Sequence, residues 1–91
     1  MSEFTPFELA VHDVLVSLRR GEIMTHGEVA LEAGHPGAAR AVGSFLRDHS
    51  GHPWWRVIAA NGWLVSGLER DHAARLTAEG VAIDNGRFCM H

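Results

Sequence analysis

The chain of 91 residues has one cysteine, Cys89, and no lysine among its eight cationic side chains. One thiol cannot form an internal disulfide, so a disulfide-stapled scaffold is excluded. No apolar run approaches the roughly 18 residues that cross a bilayer, and no basic, apolar and small-residue series at the N-terminus marks a signal peptide. A reducing, cytoplasmic setting is expected, without a membrane. The length leaves no room for a second domain, so residues 1–91 are expected to form a single domain, burying about 60% of its unfolded surface. Internal repeats, linkers and low-complexity tracts are absent from the sequence. Its seven histidines are scattered, and none falls into a ligand spacing supported by cysteines. Neither a metal nor a cofactor is expected.

An excess of positive charge is also missing, since the formal net charge is -3. That is the wrong overall sign for holding phosphates. Its distribution matters more. Residues 1–32 carry six acids against two arginines, whereas residues 33–63 carry Arg40, Arg47 and Arg56 against Asp48 alone.

What is present is a series of helix and turn signals. Thr5 as N-cap, Pro6 at the first helical position and Glu8 as the second half of a capping box predict a helix start. Phe4 and Leu9 are placed to staple it. Phe7, Val11, Val14, Leu15 and Leu18 recur at helical spacing as far as Arg19 and Arg20, and Gly21 is expected to stop the helix. A second capping box, Thr25-His26-Gly27-Glu28, opens a short helix through Leu31, with Gly34 just past its end as a left-handed residue. Residues 38–47 then predict a third helix. It buries Ala41, Val42, Phe45 and Leu46 and leaves Arg40, Ser44 and Arg47 on the other side. Two short helices joined by a glycine-containing turn make a helix-turn-helix pattern.

Beyond a loop at residues 49–53, Trp55-Arg56-Val57-Ile58 and Trp63-Leu64-Val65 flank Asn61-Gly62. Asn-Gly between apolar stretches is a strong hairpin signal, because both turn positions need positive φ. This hairpin is the candidate wing. Ser66 and Glu69 repeat the capping-box spacing before a helix to about Ala78, and Val81-Ala82-Ile83 and Arg87-Phe88-Cys89 flank Asn85-Gly86 as a closing hairpin. The predicted fold is mainly α with small β-hairpins, a winged helix-turn-helix domain.

Three segments carry a resemblance: Ile23-Met24-Thr25-His26-Gly27-Glu28-Val29-Ala30, then Gly37-Ala38-Ala39-Arg40-Ala41-Val42-Gly43, then Pro53-Trp54-Trp55-Arg56-Val57. In order and spacing they resemble the DNA-binding domain of the alkylguanine-DNA alkyltransferases, over about residues 5 to 83, with Glu79-Gly80 matching that family's closing Glu-Gly. Active members read Pro-Cys-His-Arg-Val in the third segment. Their thiolate accepts the alkyl group, and their histidine activates it. Here Trp54 stands at the cysteine position and Trp55 at the histidine position, and indole is neither a displacement nucleophile nor a base. The chain is therefore similar to the non-catalytic alkyltransferase-like proteins, which bind alkylated guanine without repairing it and flag it for nucleotide excision repair.

The resemblance implies roles for particular residues. Arg40 would insert from the recognition helix into the base stack, where a long planar cation offsets part of the few kcal/mol needed to extrude a base. Gly43 and Ser44 would let the helix backbone approach a narrow minor groove, and Arg47 would meet phosphate. His26 stands where active members carry a tyrosine that helps turn the nucleotide out. An imidazole can serve there, charged or neutral, or can simply be a surface residue in a first helical turn.

Trp54, Trp55, Val57 and Ser66 are the candidate lesion-pocket residues. Strand alternation would point Trp54 and Trp55 in opposite directions, so Trp54 is expected to face an extruded base while Trp55 and Trp63 are structural. Glu79 lacks both partners of the family's relay and is expected to pair with Arg56. Cys89 lies far from the nucleophile motif. The implied function is non-enzymatic: a monomeric, nucleoid-associated protein that binds double-stranded DNA containing alkylated guanine by its minor groove, with nucleotide excision repair proteins as partners. Two alternatives stay open. One is a winged-helix transcriptional or protein-interaction module without lesion specificity; the other is an alkyltransferase using Cys89.

Overall fold

A computed structural model describes residues 4–84 and 87–88 of the chain. Helix α1, Pro6–Ser17, starts as its capping box requires: the Glu8 amide donates to Thr5 Oγ1 at 3.1 Å and the Thr5 amide to Glu8 Oε1 at 2.9 Å. It ends earlier than predicted. Leu18 is already extended, and residues 19–22 form a turn closed by the Glu22 amide on the Arg19 carbonyl at 2.9 Å, with Gly21 at φ 85° inside it. Gly21 therefore shapes the connection and does not cap the helix. The predicted staple also fails. Phe4 packs on Phe45 and His49, at ring distances of 5.6 and 5.1 Å, and leaves Leu9 43% exposed.

Strand β1, Met24–Thr25, leads directly into α2, His26–Glu32, whose Thr25–Glu28 capping box is complete. At its far end Gly34, at φ 86°, lets the His35 amide reach back to the Ala30 carbonyl at 2.9 Å and its own amide reach Leu31 at 3.0 Å. These two bonds satisfy carbonyls that a helix end otherwise leaves open. Helix α3, Ala39–Asp48, packs on α2 through Val42 and Phe45. Ala41, expected in the core, is exposed, because Val42 and Phe45 already fill the stripe that faces α2, and Leu46 is only half-buried.

The expected strand at Trp55 begins instead as a single 3-10 turn, Trp54–Arg56, continuing into the two residues of β2, Val57–Ile58. Strand β2 pairs in parallel with β1, Met24 opposite Val57 and Thr25 opposite Ile58. Successive strand side chains point to opposite faces. Accordingly Val57 joins a first core of Val11, Leu15, Val29, Ala30, Val42 and Phe45, while Ile58 joins a second with Leu64 and Leu76.

The wing is shorter than predicted. The Gly62 amide bonds the Ala59 carbonyl at 2.9 Å and the Ala59 amide bonds the Trp63 carbonyl at 3.2 Å. The central turn residues are thus Ala60 and Asn61, and Gly62, at φ 87°, takes the left-handed position after them. This is a three-residue loop rather than an Asn-Gly two-residue turn.

Helix α4, Glu69–Ala78, begins without its predicted Ser66 cap. The Leu68 amide bonds the Val65 carbonyl at 3.0 Å and Gly67 sits at φ 87°, a turn that holds Ser66 outside the helix. Strands β3, Ile83–Asp84, and β4, Arg87–Phe88, pair antiparallel, as the closing hairpin predicts. Asn85, Gly86 and Cys89 lie outside the described residues. No helix among the described residues is long and apolar enough to cross a membrane.

Candidate nucleic-acid interface

Helix α3 presents Arg40 and Arg47 to solvent on the side opposite its buried stripe. Among the described residues no hydrogen bond or ion pair engages Arg40, so a five-donor planar cation stands ready at the helix surface. Arg47 lies along its own helix, where Nη2 donates to Ser44 Oγ at 3.1 Å. A Cβ built on Gly43 would meet only Arg47 Nη1, at 3.8 Å, which is ordinary contact. The absence of a side chain at Gly43 is therefore not required by this chain's own packing.

Beside α3 opens a cavity of about 870 Å³. It gathers seven of the nine residues singled out from the sequence: Gly43 and Arg47 from α3, His26 from α2, Trp54, Trp55 and Val57 around the 3-10 turn, and Ser66 at the rim. Arg40 and Ser44 lie outside the lining, on the helix surface. Among the described residues no aspartate or glutamate lines the cavity, which makes the polar part they supply cationic or neutral.

Burial is the chief influence that pushes the pKa of His26 down from its usual value, and the neighbouring Arg47 charge acts in the same direction. His26 therefore offers a neutral imidazole at pH 7, and the charged form entertained from the sequence is disfavoured. Trp54 is half-buried and packs on His72 at 5.1 Å, with the Arg75 guanidinium 5.5 Å from its ring centre. Strand alternation does not separate Trp54 from Trp55, because both sit on the 3-10 turn, their rings 6.1 Å apart and nearly perpendicular.

Trp55 is tied down from the other side. Its indole N–H donates to Glu79 Oε2 at 2.7 Å. Glu79 also accepts from Arg56, at 3.0 Å from Nε and 2.8 Å from Nη2, and from the Gly21 amide at 2.7 Å. The predicted Arg56–Glu79 pair is present, with 6% of the glutamate side chain exposed. The Arg56 hydrogen bonds dominate over the opposing effect of burial, and with help from Trp55 and Gly21 they lower the Glu79 pKa to about 2. Arg56 Nη1 bonds the Leu18 carbonyl at 2.9 Å as well, joining this cluster to the end of α1.

Two lining residues differ from or escape the sequence reading. Trp63, expected to be structural, is 49% exposed and lines the cavity. It stands just after the three-residue wing loop, where its carbonyl accepts from the Ala59 amide at 3.2 Å. His52 is 6% exposed and lines the cavity too, donating from Nε2 to the His49 carbonyl at 3.0 Å. It lies in a loop without periodicity, and only its place two residues before Trp54 hints at it. Among the described residues no group of three or more His, Cys, Asp or Glu is arranged to hold a metal ion.

The described architecture agrees with three comparisons. The family model for the DNA-binding domain of 6-O-methylguanine DNA methyltransferase matches residues 6–81. The DNA base-flipping protein of Vibrio parahaemolyticus is 35% identical over 82 residues, covering 85% of this chain and 82% of that protein. Alkyltransferase-like protein 1 of Schizosaccharomyces pombe is 34% identical over 84 residues, covering 85% and 78%. The crystal structure of S. pombe Atl1 in complex with damaged DNA containing O6-carboxymethylguanine superposes with a TM-score of 0.81 at 31% identity, covering 91% of this chain and 83% of that one. With the family's fold and its helix-turn-helix beside a tryptophan-lined cavity, the chain belongs to the family of the 6-O-methylguanine DNA methyltransferase DNA-binding domain, as an alkyltransferase-like relative.

Proposed function

We propose that this protein is a non-enzymatic sensor of alkylated guanine that binds duplex DNA by its minor groove, turns the damaged nucleotide into the cavity and marks the site for nucleotide excision repair. The observation that carries the reading is the placement of Trp54 in a cavity directly beside the helix that presents Arg40. Arg40 fills the vacated space in the base stack, and Arg47 meets phosphate. The small Gly43 lets the helix backbone come close. In the cavity Trp54 offers an aromatic face, and base–aromatic stacking contributes about 1–3 kcal/mol per base. His26, neutral, can donate to or accept from the base or its backbone.

No alkyl transfer is proposed. An indole carbon at position 54 does not displace an alkyl group, and Glu79 is fully engaged by Trp55, Arg56 and Gly21 rather than free to relay a proton. The protein acts as a monomer in the cytoplasm, close to the nucleoid.

The test compares affinities for otherwise identical duplexes with guanine and O6-methylguanine. The lesion duplex is expected to bind more tightly, and Arg40→Ala to weaken that binding by about tenfold or more, the equivalent of about 1.4 kcal/mol. Equal binding of the two duplexes would sink lesion recognition. One observation favours a second reading, a winged-helix module without lesion specificity: the formal net charge of -3. That module would prefer one undamaged sequence, or a protein partner in the absence of DNA.

A further inference from the structure

Behind Trp54 lies a histidine that the proposed function leaves unused. His72, on α4, is fully buried, and its ring bridges two separate pieces of the cavity wall. Nδ1 accepts from the Val65 amide at 3.0 Å, and Nε2 faces the Trp55 carbonyl at 2.8 Å. A carbonyl can only accept and an amide N–H can only donate, so the geometry assigns the neutral ring with its proton on Nε2. The two backbone groups stand on the chain entering and the chain leaving the wing hairpin, on either side of its loop. All four of Trp54, Trp55, Val65 and Ser66 line the cavity, the first pair ahead of the wing as one wall and the second pair after it as the other. Further, the His72 backbone amide bonds the Leu68 carbonyl at 2.8 Å, and Leu68 lines the cavity as well. The ring supports Trp54 directly at 5.1 Å.

We infer that His72 is a positioning residue for lesion recognition: by bonding the Trp55 carbonyl and the Val65 amide with one imidazole, it fixes the separation of the two cavity walls and the seat of Trp54. The inference rests on the sensor reading. An imidazole spans the two walls without bringing a net charge into the cavity. Burial pushes the His72 pKa down, which keeps the ring in the one protonation state that satisfies both partners. His72 bonds neither Arg40 nor Arg47, so affinity for DNA as such and discrimination of the lesion are separable.

The experiment measures binding of O6-methylguanine and unmodified duplexes by the full chain carrying His72→Phe or His72→Gln. Phenylalanine keeps a ring beneath Trp54 but makes neither bond, whereas a glutamine amide can donate and accept. His72→Phe is expected to bind the unmodified duplex as the parent does and to lose about tenfold in lesion preference, the magnitude of leaving a buried backbone group unpaired. His72→Gln is expected to keep most of that preference. A folded His72→Phe with undiminished preference overturns the inference, as does an equal loss in both variants.

Should His72→Phe fail to fold, nitrogen NMR of the parent protein decides. A neutral ring protonated on Nε2, with signals that move on adding the lesion duplex but not the unmodified one, supports the clamp. An Nδ1-protonated ring or an equal response to both duplexes overturns it. A parent protein that itself binds both duplexes equally defeats the sensor reading, which is a different result from discrimination that survives the loss of His72.

Discussion

At the scale of single residues, Glu79 shows how a side chain keeps a use when the chemistry implied by its sequence position is absent. Its carboxylate, at a pKa of about 2 against an ordinary 4.5, accepts hydrogen bonds from Arg56, Trp55 and Gly21. A carboxylate whose folded pKa is depressed stabilises the fold fully above its unfolded value and loses that contribution as pH falls through the folded value. Glu79→Gln is therefore expected to lower stability at pH 7 by on the order of 3 kcal/mol. The gap between parent and variant should shrink as pH falls from 4.5 to 2, which melting curves across that range will show; a constant gap would contradict the ion pair.

Arg47 makes a different prediction. Arg47→Ala should weaken binding to all duplexes alike and reduce the slope of log affinity against log salt by about one, as loss of one phosphate contact does. A change confined to the lesion duplex would place it inside the recognition pocket instead.

At the scale of elements, the sequence was most readable where a local rule fixes local geometry. The Thr5–Glu8 and Thr25–Glu28 boxes and the left-handed Gly34 all lie where their patterns put them, because each needs only residues within one turn. The same spacing at Ser66–Glu69 misled, since a positive φ at Gly67 takes the chain out of line before the helix begins. The parallel pairing of β1 with β2 could not be read at all, for two-residue strands are too short to show a period and join positions more than thirty residues apart. The candidate site residues were named by resemblance, and seven of them line one cavity. His52 and His72 were not singled out and Trp63 was expected to be structural, because their places depend on how distant parts of the chain close in space.

Helix α3 provides the test at this scale. Gly43→Ala meets no obstacle in the free protein and replaces a poor helix former with the best, so it is expected to stabilise the fold by about 0.5–1 kcal/mol. It should nevertheless weaken DNA binding, because the added methyl group stands between helix and groove. Unchanged affinity would show that α3 does not approach DNA through Gly43.

At the scale of the whole molecule, two small cores meet along β2, Val57 facing one and Ile58 the other. Leu76 is fully buried in the second core, and Leu76→Ala is expected to remove about 2–5 kcal/mol. Because β1 and β2 join the cores, the loss should appear as one earlier melting transition rather than as two, and separate transitions would mean that the cores unfold independently. The cavity opens along this same seam, drawing Leu46 from beside the first core and Ile58 and Leu64 from the second. A base lodged there would act as a keystone: each half would hold the guest, and the guest would hold the halves. Recognition and cohesion then become one quantity, so a tightly held lesion should slow hydrogen exchange on both sides of the seam together, turning a small, modestly stable domain into a stiff marker on the DNA for as long as the damage persists.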